Sequence, residues 1–323
     1  MLTLPLARAA APDAPPRGPN PAAIRRPNAG LPVSLGPAAI LRRVWQGDDL
    51  APLTQALITG ALAGAPGPAL DLATLLMTQG GTLAEEGREM QANAIAAARS
   101  FVIRPGGALT VLAFVTAGDF MANTPIDFLL ADRDVTLILH HVDETTTSLD
   151  DLPAHDLAFL AVAESPANAA TLARMDLLLG TWPGPVVNGR TARIAGLGRV
   201  EVAQALQGVP GLVVPLAEEM DRNALLARRV ETPVLLRPLG SHAGQGLARI
   251  DTEAEAADWL EETSARRLTL TPFVDYRGSD GLYAKYRIAL IGGEAHPSHM
   301  AISAHWMVHY LNAGMAENAD RRA

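Results

Sequence analysis

The residues whose types and spacing could do chemistry lie mostly in the last third of the chain. Arg237 is followed by Gly240-Ser-His-Ala-Gly-Gln-Gly246, a glycine-rich loop between two apolar runs. Glycines let backbone N–H groups close on phosphate oxygens with no Cβ in the way. The loop lacks the Gly-Lys-Ser/Thr ending of a Walker loop. A strand rather than a helix follows it, which separates it from a dinucleotide-binding fingerprint. A plain hairpin turn would use the same glycines. Further on, Lys285 and Arg287 alternate along a predicted strand, so both project from one face. Two cations on one face can stabilise negative charge as it builds on a bound group. On a solvated face they would instead pair with Glu294 or Asp275. Lys285 is also the single lysine of an arginine-rich chain, and the two residue types are not equivalent where a compact point charge is needed. Four histidines, His296, His299, His305 and His309, fall in one short stretch. His305 and His309 have the i, i+4 spacing of a helical zinc pair. Trp306 stands where a metalloprotease motif requires Glu, and His296 and His299 read as facing opposite sides of a strand. Interior histidines bonded to backbone or water are the alternative to a metal site.

Length and composition bound what could position these residues. The chain has 323 residues, 49% of them hydrophobic, enough for two or more cored domains. A net charge of -8, a pI near 5.5 and only 4% aromatic residues give neither the basic face nor the stacking surfaces of a nucleic-acid binder. Cysteine is absent, which excludes disulfides, a thiolate nucleophile and Cys-ligated zinc. No stretch approaches the roughly 20 apolar residues of a membrane span, and Met1–Leu6 lacks a basic start. A soluble, cytoplasmic protein without membrane or nucleic-acid partners is expected.

The patterning divides the chain. Residues 1–32, rich in Pro and Ala, read as a disordered tail. Residues 33–105 read as helical, with apolar series at Leu50, Leu53, Leu57 and Leu62, then Leu70–Leu76, then Leu83–Phe101 after a glycine pair. Helix, glycine break, helix looks like a tetratricopeptide-type hairpin without a fixed repeat. Residues 106–215 read as a small doubly wound α/β domain. Its strands are expected at Leu109–Val115, Val135–Leu139, Leu157–Val162 and Pro185–Asn188, and its helices at 125–131 and 166–179. Thr124-Pro125 with Asp127 is a helix-start signal. From Arg199 the pattern predicts helices over 199–207 and 219–229 and strands over 233–237 and 247–250. A helix capped by Thr252 follows, then a strand over 268–276, a hairpin of 283–291 and 295–302, and a helix from Ala304.

Three segments in this order carry a resemblance. Pro233-Val-Leu-Leu-Arg-Pro-Leu-Gly-Ser-His-Ala-Gly-Gln-Gly-Leu247 resembles the basic residue and glycine-rich lid of ATP-grasp proteins. Thr271-Pro-Phe-Val-Asp-Tyr276 resembles their adenine-carrying hinge, and Lys285-Tyr-Arg-Ile-Ala-Leu-Ile-Gly-Gly293 the strand whose arginine meets the phosphoryl group. Pro185-Val-Val-Asn188 with Arg199 resembles the entry to that domain. Order and spacing are similar to the RimK and glutathione synthetase branch, and to a bacterial group that joins a tetratricopeptide-like region to such a domain. The resemblance spans residues 106 to 323, with 216–323 as a partial ATP-grasp domain of α+β type.

The resemblance implies an ATP-dependent carboxylate–amine ligase, ADP-forming through an acyl phosphate, with ATP and magnesium as cofactors. Small-molecule or peptide carboxylates and amines would be its substrates. Arg237 would contact the α- and β-phosphates, as arginine can do bidentately. Gly240, Ser241, His242, Gly244 and Gly246 would form the lid. Pro272, Phe273 and Val274 would hold adenine through backbone groups, and Asp275 a ribose hydroxyl. Lys285 and Arg287 would be catalytic, and Arg199 belongs to the nucleotide-binding set. The family's acidic magnesium ligands have no match after Met315; Glu317 and Asn318 have the wrong spacing. The chain is therefore expected to stop inside the domain, leaving Trp306, Met307 and Tyr310 uncovered. The alternatives are a nucleotide- or protein-binding module without catalysis, with the helical region as the partner surface, and a histidine-based metalloprotein.

Overall fold

The computed structural model describes residues 28, 30–228, 230–241 and 244–308. It has mixed α/β architecture and divides into an N-terminal unit ending at Val202 and a C-terminal unit beginning at Ala203.

The N-terminal unit opens with helices α1 (Pro37–Gln46), α2 (Ala51–Leu62), α3 (Pro66–Met77) and α4 (Gly81–Ala97). Strands β1 (Ser100–Arg104), β2 (Leu109–Val115), β3 (Val135–His141), β4 (Leu157–Leu160) and β5 (Val186–Val187) form one sheet in the order β1-β3-β2-β4-β5. β2 to β5 are parallel and β1 joins antiparallel at the edge. The short α5 (Ile126–Leu129) links β2 to β3. A 3-10 turn at Pro166–Asn168 and α6 (Ala169–Leu179) link β4 to β5, and α7 (Thr191–Ala195) and α8 (Arg199–Ala205) follow. The strands are mostly apolar on both faces because both faces are covered. Val111, Ala113 and Val115 pack with Leu70, Ala94 and Ile95 of the helical layer and Ile126 of α5. Leu112 and Phe114, on the opposite face, pack with Leu172, Met175 and Leu179 of α6.

Residues 33–105 are thus one layer of the α/β core, since side chains of α3 and α4 share a cluster with β1, β2 and β3. The helix expected to run to Phe101 ends at Ala97, and Ser100 starts a strand paired with His140. Part of the expected tail is also tied down. The Val102 N–H donates to the Pro32 carbonyl, and Asn28 donates to the Ala154 carbonyl. Residues 1–27 lie outside the described residues.

Two buried carboxylates fasten the start of α1. Asp71 of α3 accepts from the Ser34 hydroxyl at 2.6 Å and from the Leu35 and Gly36 N–H groups at 2.8 and 3.2 Å. Asp127, the expected first-turn acid of α5, also accepts from the Ala38 N–H at 2.5 Å. Burial pushes both carboxyls above their usual range, against the lowering effect of these bonds.

The C-terminal unit comprises β6 (Glu218–Asp221), α9 (Arg222–Leu226), β7 (Val234–Pro238), β8 (Ala248–Ile250), α10 (Glu253–Glu262) and β9 (Arg267–Pro272). A separate hairpin of β10 (Tyr283–Ile291) and β11 (Glu294–Ser303) follows. The sheet order is β6-β9-β7-β8, all antiparallel. Leu236, Leu268, Leu270 and Ile250 pack with Trp259 and Leu260 of α10 and Leu225 of α9. Thr252 caps α10 as expected, its hydroxyl accepting from the Glu255 N–H.

Two elements differ from the sequence reading. The helix expected over 219–229 splits into β6 and α9, because Glu218–Asp221 pairs with β9 and buries only Met220. Pairing here overrides a composition poor in strand formers. The helix expected from Ala304 is a bend over the described residues, and Tyr310 and His309 lie outside them. Trp306 and Met307 are half-buried, with Trp306 packed on Tyr283, Ala301 and Val308.

Asp71→Ala should destabilise the N-terminal unit by about 1–3 kcal/mol, because it strands the Leu35 N–H and the buried Ser34 hydroxyl and leaves the Gly36 N–H with the Ser34 oxygen alone. Asp71→Asn, which keeps one acceptor, should cost less. Urea unfolding followed by tryptophan fluorescence measures the difference.

Candidate functional site

The site is built where β7 turns into β8. Arg237 ends the regular part of β7, between β8 and β9 in the sheet. Its Nε donates to the Ser241 hydroxyl at 3.2 Å and its Nη2 to the Ser241 carbonyl at 2.5 Å. The guanidinium thus reaches forward four residues and holds the loop near its first glycine. Gly244 and Gly246 have φ of +80° and +62°, where L side chains are strained. A Cβ on Gly246 would also lie 2.8 Å from the Pro238 ring, and one on Gly244 would lie 3.3 Å from the Met307 sulfur. The far end of the loop is pinned by Trp259, whose indole N–H donates to the Gly246 carbonyl at 3.1 Å. His242 lies outside the described residues.

The segment after β9 forms a second wall. Phe273 stands under the Arg249 guanidinium at 4.1 Å and edge-on to Trp306 at 5.9 Å. Tyr276 donates to the Trp306 carbonyl at 2.8 Å and meets the Tyr283 ring at 4.9 Å. Of the three residues expected to offer backbone groups, Pro272 has no N–H, and the Phe273 N–H donates to the Pro233 carbonyl. The Val274 N–H and the Phe273 and Val274 carbonyls remain. Asp275 is exposed, and its carboxylate accepts from the Arg277 N–H and guanidinium. Arg277 holds the Asp275 carboxyl down at about 2.

The hairpin supplies the third wall. Lys285 pairs across with Ala301 and Arg287 with His299, so these cations share one face. The register shifts after Arg287, which brings His296 opposite Ala289. His296 and His299 therefore lie on the same face as the two cations. This corrects the alternation expected from sequence, because a bulge adds one residue to β11. Lys285 donates to the Val308 carbonyl at 3.3 Å. Neither Glu294 nor Asp275 forms an ion pair with Lys285 or Arg287 among the described residues; Asp275 is held by Arg277.

Trp306, Met307 and Val308 thus meet Phe273, Gly244 and Lys285 in turn. The sequence reading missed Arg249 and the role of this segment. Arg249 was legible in part, since alternation places it opposite the buried Ile250 on β8. Arg199 belongs to the N-terminal unit, at the first position of α8. No group of three or more His, Asp or Glu side chains able to hold a metal occurs among the described residues. No helix among them is long and apolar enough to cross a membrane.

No family model matches the chain, and no curated protein does. Several solved structures are similar to it. An ATP-grasp RimK domain protein from Sphaerobacter thermophilus matches at 18% identity and TM-score 0.38, covering 66% of this chain and 79% of that one. A D-alanine–D-alanine ligase from Helicobacter pylori matches at 12% and 0.39, covering 66% and 80%. The corresponding ligase from Coxiella burnetii matches at 10% and 0.40, covering 65% and 74%. Likenesses of this depth assign no family, and the functional reading rests on the chain's own residues.

Arg277→Ala should return the Asp275 carboxyl toward its ordinary value. In the parent chain the carboxylate stays charged until the pH falls to about 2, where the pair is lost. Carbon-13 NMR titration of the carboxyl reads both values.

Proposed function

We propose that the C-terminal unit binds ATP in the manner of ATP-grasp proteins, and that the chain takes part in joining a carboxylate to an amine. The observation that carries this reading is the loop from Arg237 to Gly246. A guanidinium already oriented by Ser241 stands beside backbone that bends at two glycines, as a lid over phosphates requires. Three features support it. The remaining backbone groups of Phe273 and Val274 suit the edge of a base, and the Phe273 ring suits stacking. Lys285 and Arg287 offer charge on one face, with no acid paired to them among the described residues.

ATP would supply the phosphoryl group that activates the carboxylate. Arg237 and the lid N–H groups would hold its phosphates. Lys285 and Arg287 would stabilise anionic oxygens at the reacting end, Lys285 exchanging its bond to the Val308 carbonyl for that role. The roles given to this chain run through its cations and backbone alone.

A second reading, a binding module without catalysis, is favoured by the opposite face of the hairpin. Tyr286, Ile288, Leu290 and Met300 share that face and are all exposed, Leu290 by 77%. Contiguous apolar surface of this kind marks interaction sites.

Arg237→Ala should weaken ATP binding about tenfold to a hundredfold, the loss of a charge-assisted contact of ~1.5–3 kcal/mol. Calorimetry of the two proteins tests it, and equal affinities would remove the phosphate role. In a turnover assay, Lys285→Ala and Arg287→Ala should each lower kcat more than they raise KM. A change in thermal stability alone would favour the binding module.

A further inference from the structure

In the ATP-binding role proposed above, the C-terminal unit meets the nucleotide at three places: the loop at Gly244, the Phe273 ring and the Lys285 ammonium. One short segment of the chain already touches all three. Beyond β11, Ala304 and His305 form an exposed bend, and Trp306, Met307 and Val308 follow. The Trp306 ring stands edge-on to Phe273, with centroids 5.9 Å apart. The Met307 sulfur lies so near Gly244 that a Cβ on that glycine would come within 3.3 Å of it. The Val308 carbonyl accepts from Lys285 at 3.3 Å. A nucleotide with its base at Phe273, its phosphates under Gly244 and its reacting end at Lys285 would need these same contacts.

The groups this segment presents suit a competitor of ATP better than a wall that holds it. A phosphate-binding wall offers N–H groups or cations. The Met307 thioether offers neither, and the Val308 carbonyl gives Lys285 the acceptor oxygen that a phosphate would otherwise supply. The Tyr276 hydroxyl fastens the segment, donating to the Trp306 carbonyl at 2.8 Å, an oxygen that also accepts from the Val308 N–H at 3.1 Å. Neutral hydrogen bonds and thioether contacts are modest holds, which a charged triphosphate can displace. The two ends of the segment differ in how firmly they sit. Val308 is 4% exposed and packs on Tyr283 and Ala301, whereas Trp306 and Met307 are half-buried. The part that can give way is therefore Trp306–Met307. Lys285 can leave the Val308 carbonyl by turning its own flexible stem, with Val308 staying in place.

We propose, resting on the ATP-binding role of this unit, that Trp306–Met307 is a strap across the nucleotide site, latched by Tyr276, and that ATP displaces it on binding. A site open for only a fraction of the time binds its ligand more weakly by that fraction. Minor states of two-state elements are commonly about 0.1–10% populated. Loosening the strap therefore tightens ATP, whereas damage to a wall of the site weakens it.

The test is calorimetry with ATP on the full chain and on the double variant Tyr276→Phe, Met307→Ala. Tyr276→Phe removes the latch and keeps the ring that meets Tyr283, and Met307→Ala shortens the side chain over Gly244. The double variant should bind ATP about tenfold tighter or more. Hydrogen exchange of the parent supplies a second reading: ATP should speed exchange across residues 304–308. ATP affinity in the double variant equal to or weaker than the parent's, or slower exchange of 304–308 on ATP addition, would overturn the strap and make the segment a wall of the site, with ATP binding itself intact. ATP bound by neither protein would instead overturn the ATP-binding role, and the strap with it. Should the double variant fold poorly, the exchange of 304–308 in the parent decides.

Discussion

The C-terminal site depends on the double contact from Arg237 to Ser241. The strand that carries Arg237 is paired with β8 as far as Leu236 and with β9 through Arg237 itself, so the sheet fixes the backbone from which the guanidinium reaches. Its planar fork engages a hydroxyl and a carbonyl together, a geometry a lysine ammonium would not reproduce. The loop between it and Gly246 is therefore held at both ends, by Arg237 and by Trp259, while its middle bends at glycines. A lid needs that combination of anchored ends and a permissive middle. Around it, Trp306–Val308 link the loop to Phe273 and to Lys285.

In the N-terminal unit the corresponding constraint is electrostatic and buried. Asp71 and Asp127 come from different helices yet accept from adjacent backbone at the start of α1. They close the helical layer onto a parallel sheet whose two faces are both covered. That closure leaves a partly open pocket over the ends of β2 and β3.

Much of this was legible in the residues. The buried apolar runs at Leu109–Val115 and Val135–Leu139 are strands, and Thr252 caps the helix it was expected to cap. The glycine loop is a β7–β8 connection, and Lys285 and Arg287 do share a face. What was not legible depends on partners distant in sequence. Glu218–Asp221 is a strand only because β9 lies beside it, and Ser100–Arg104 only because β3 does. The bulge in β11 that unites His296 with His299 is a property of pairing and cannot be read from alternation. The Phe273 N–H is spent on Pro233, a contact set by the sheet register. The helical segment reads as a separate adapter because its sequence pattern is its own, while its burial is shared with the sheet.

The central claim, that the loop after Arg237 and the segment after β9 together hold ATP, is tested most directly by hydrogen exchange measured peptide by peptide with and without ATP. The account predicts slower exchange on ATP addition in two stretches, residues 238–247 and 273–275, with the outer strand β6 unchanged. Exchange that is unaffected in both stretches at saturating ATP, or protection confined to other residues, would contradict it.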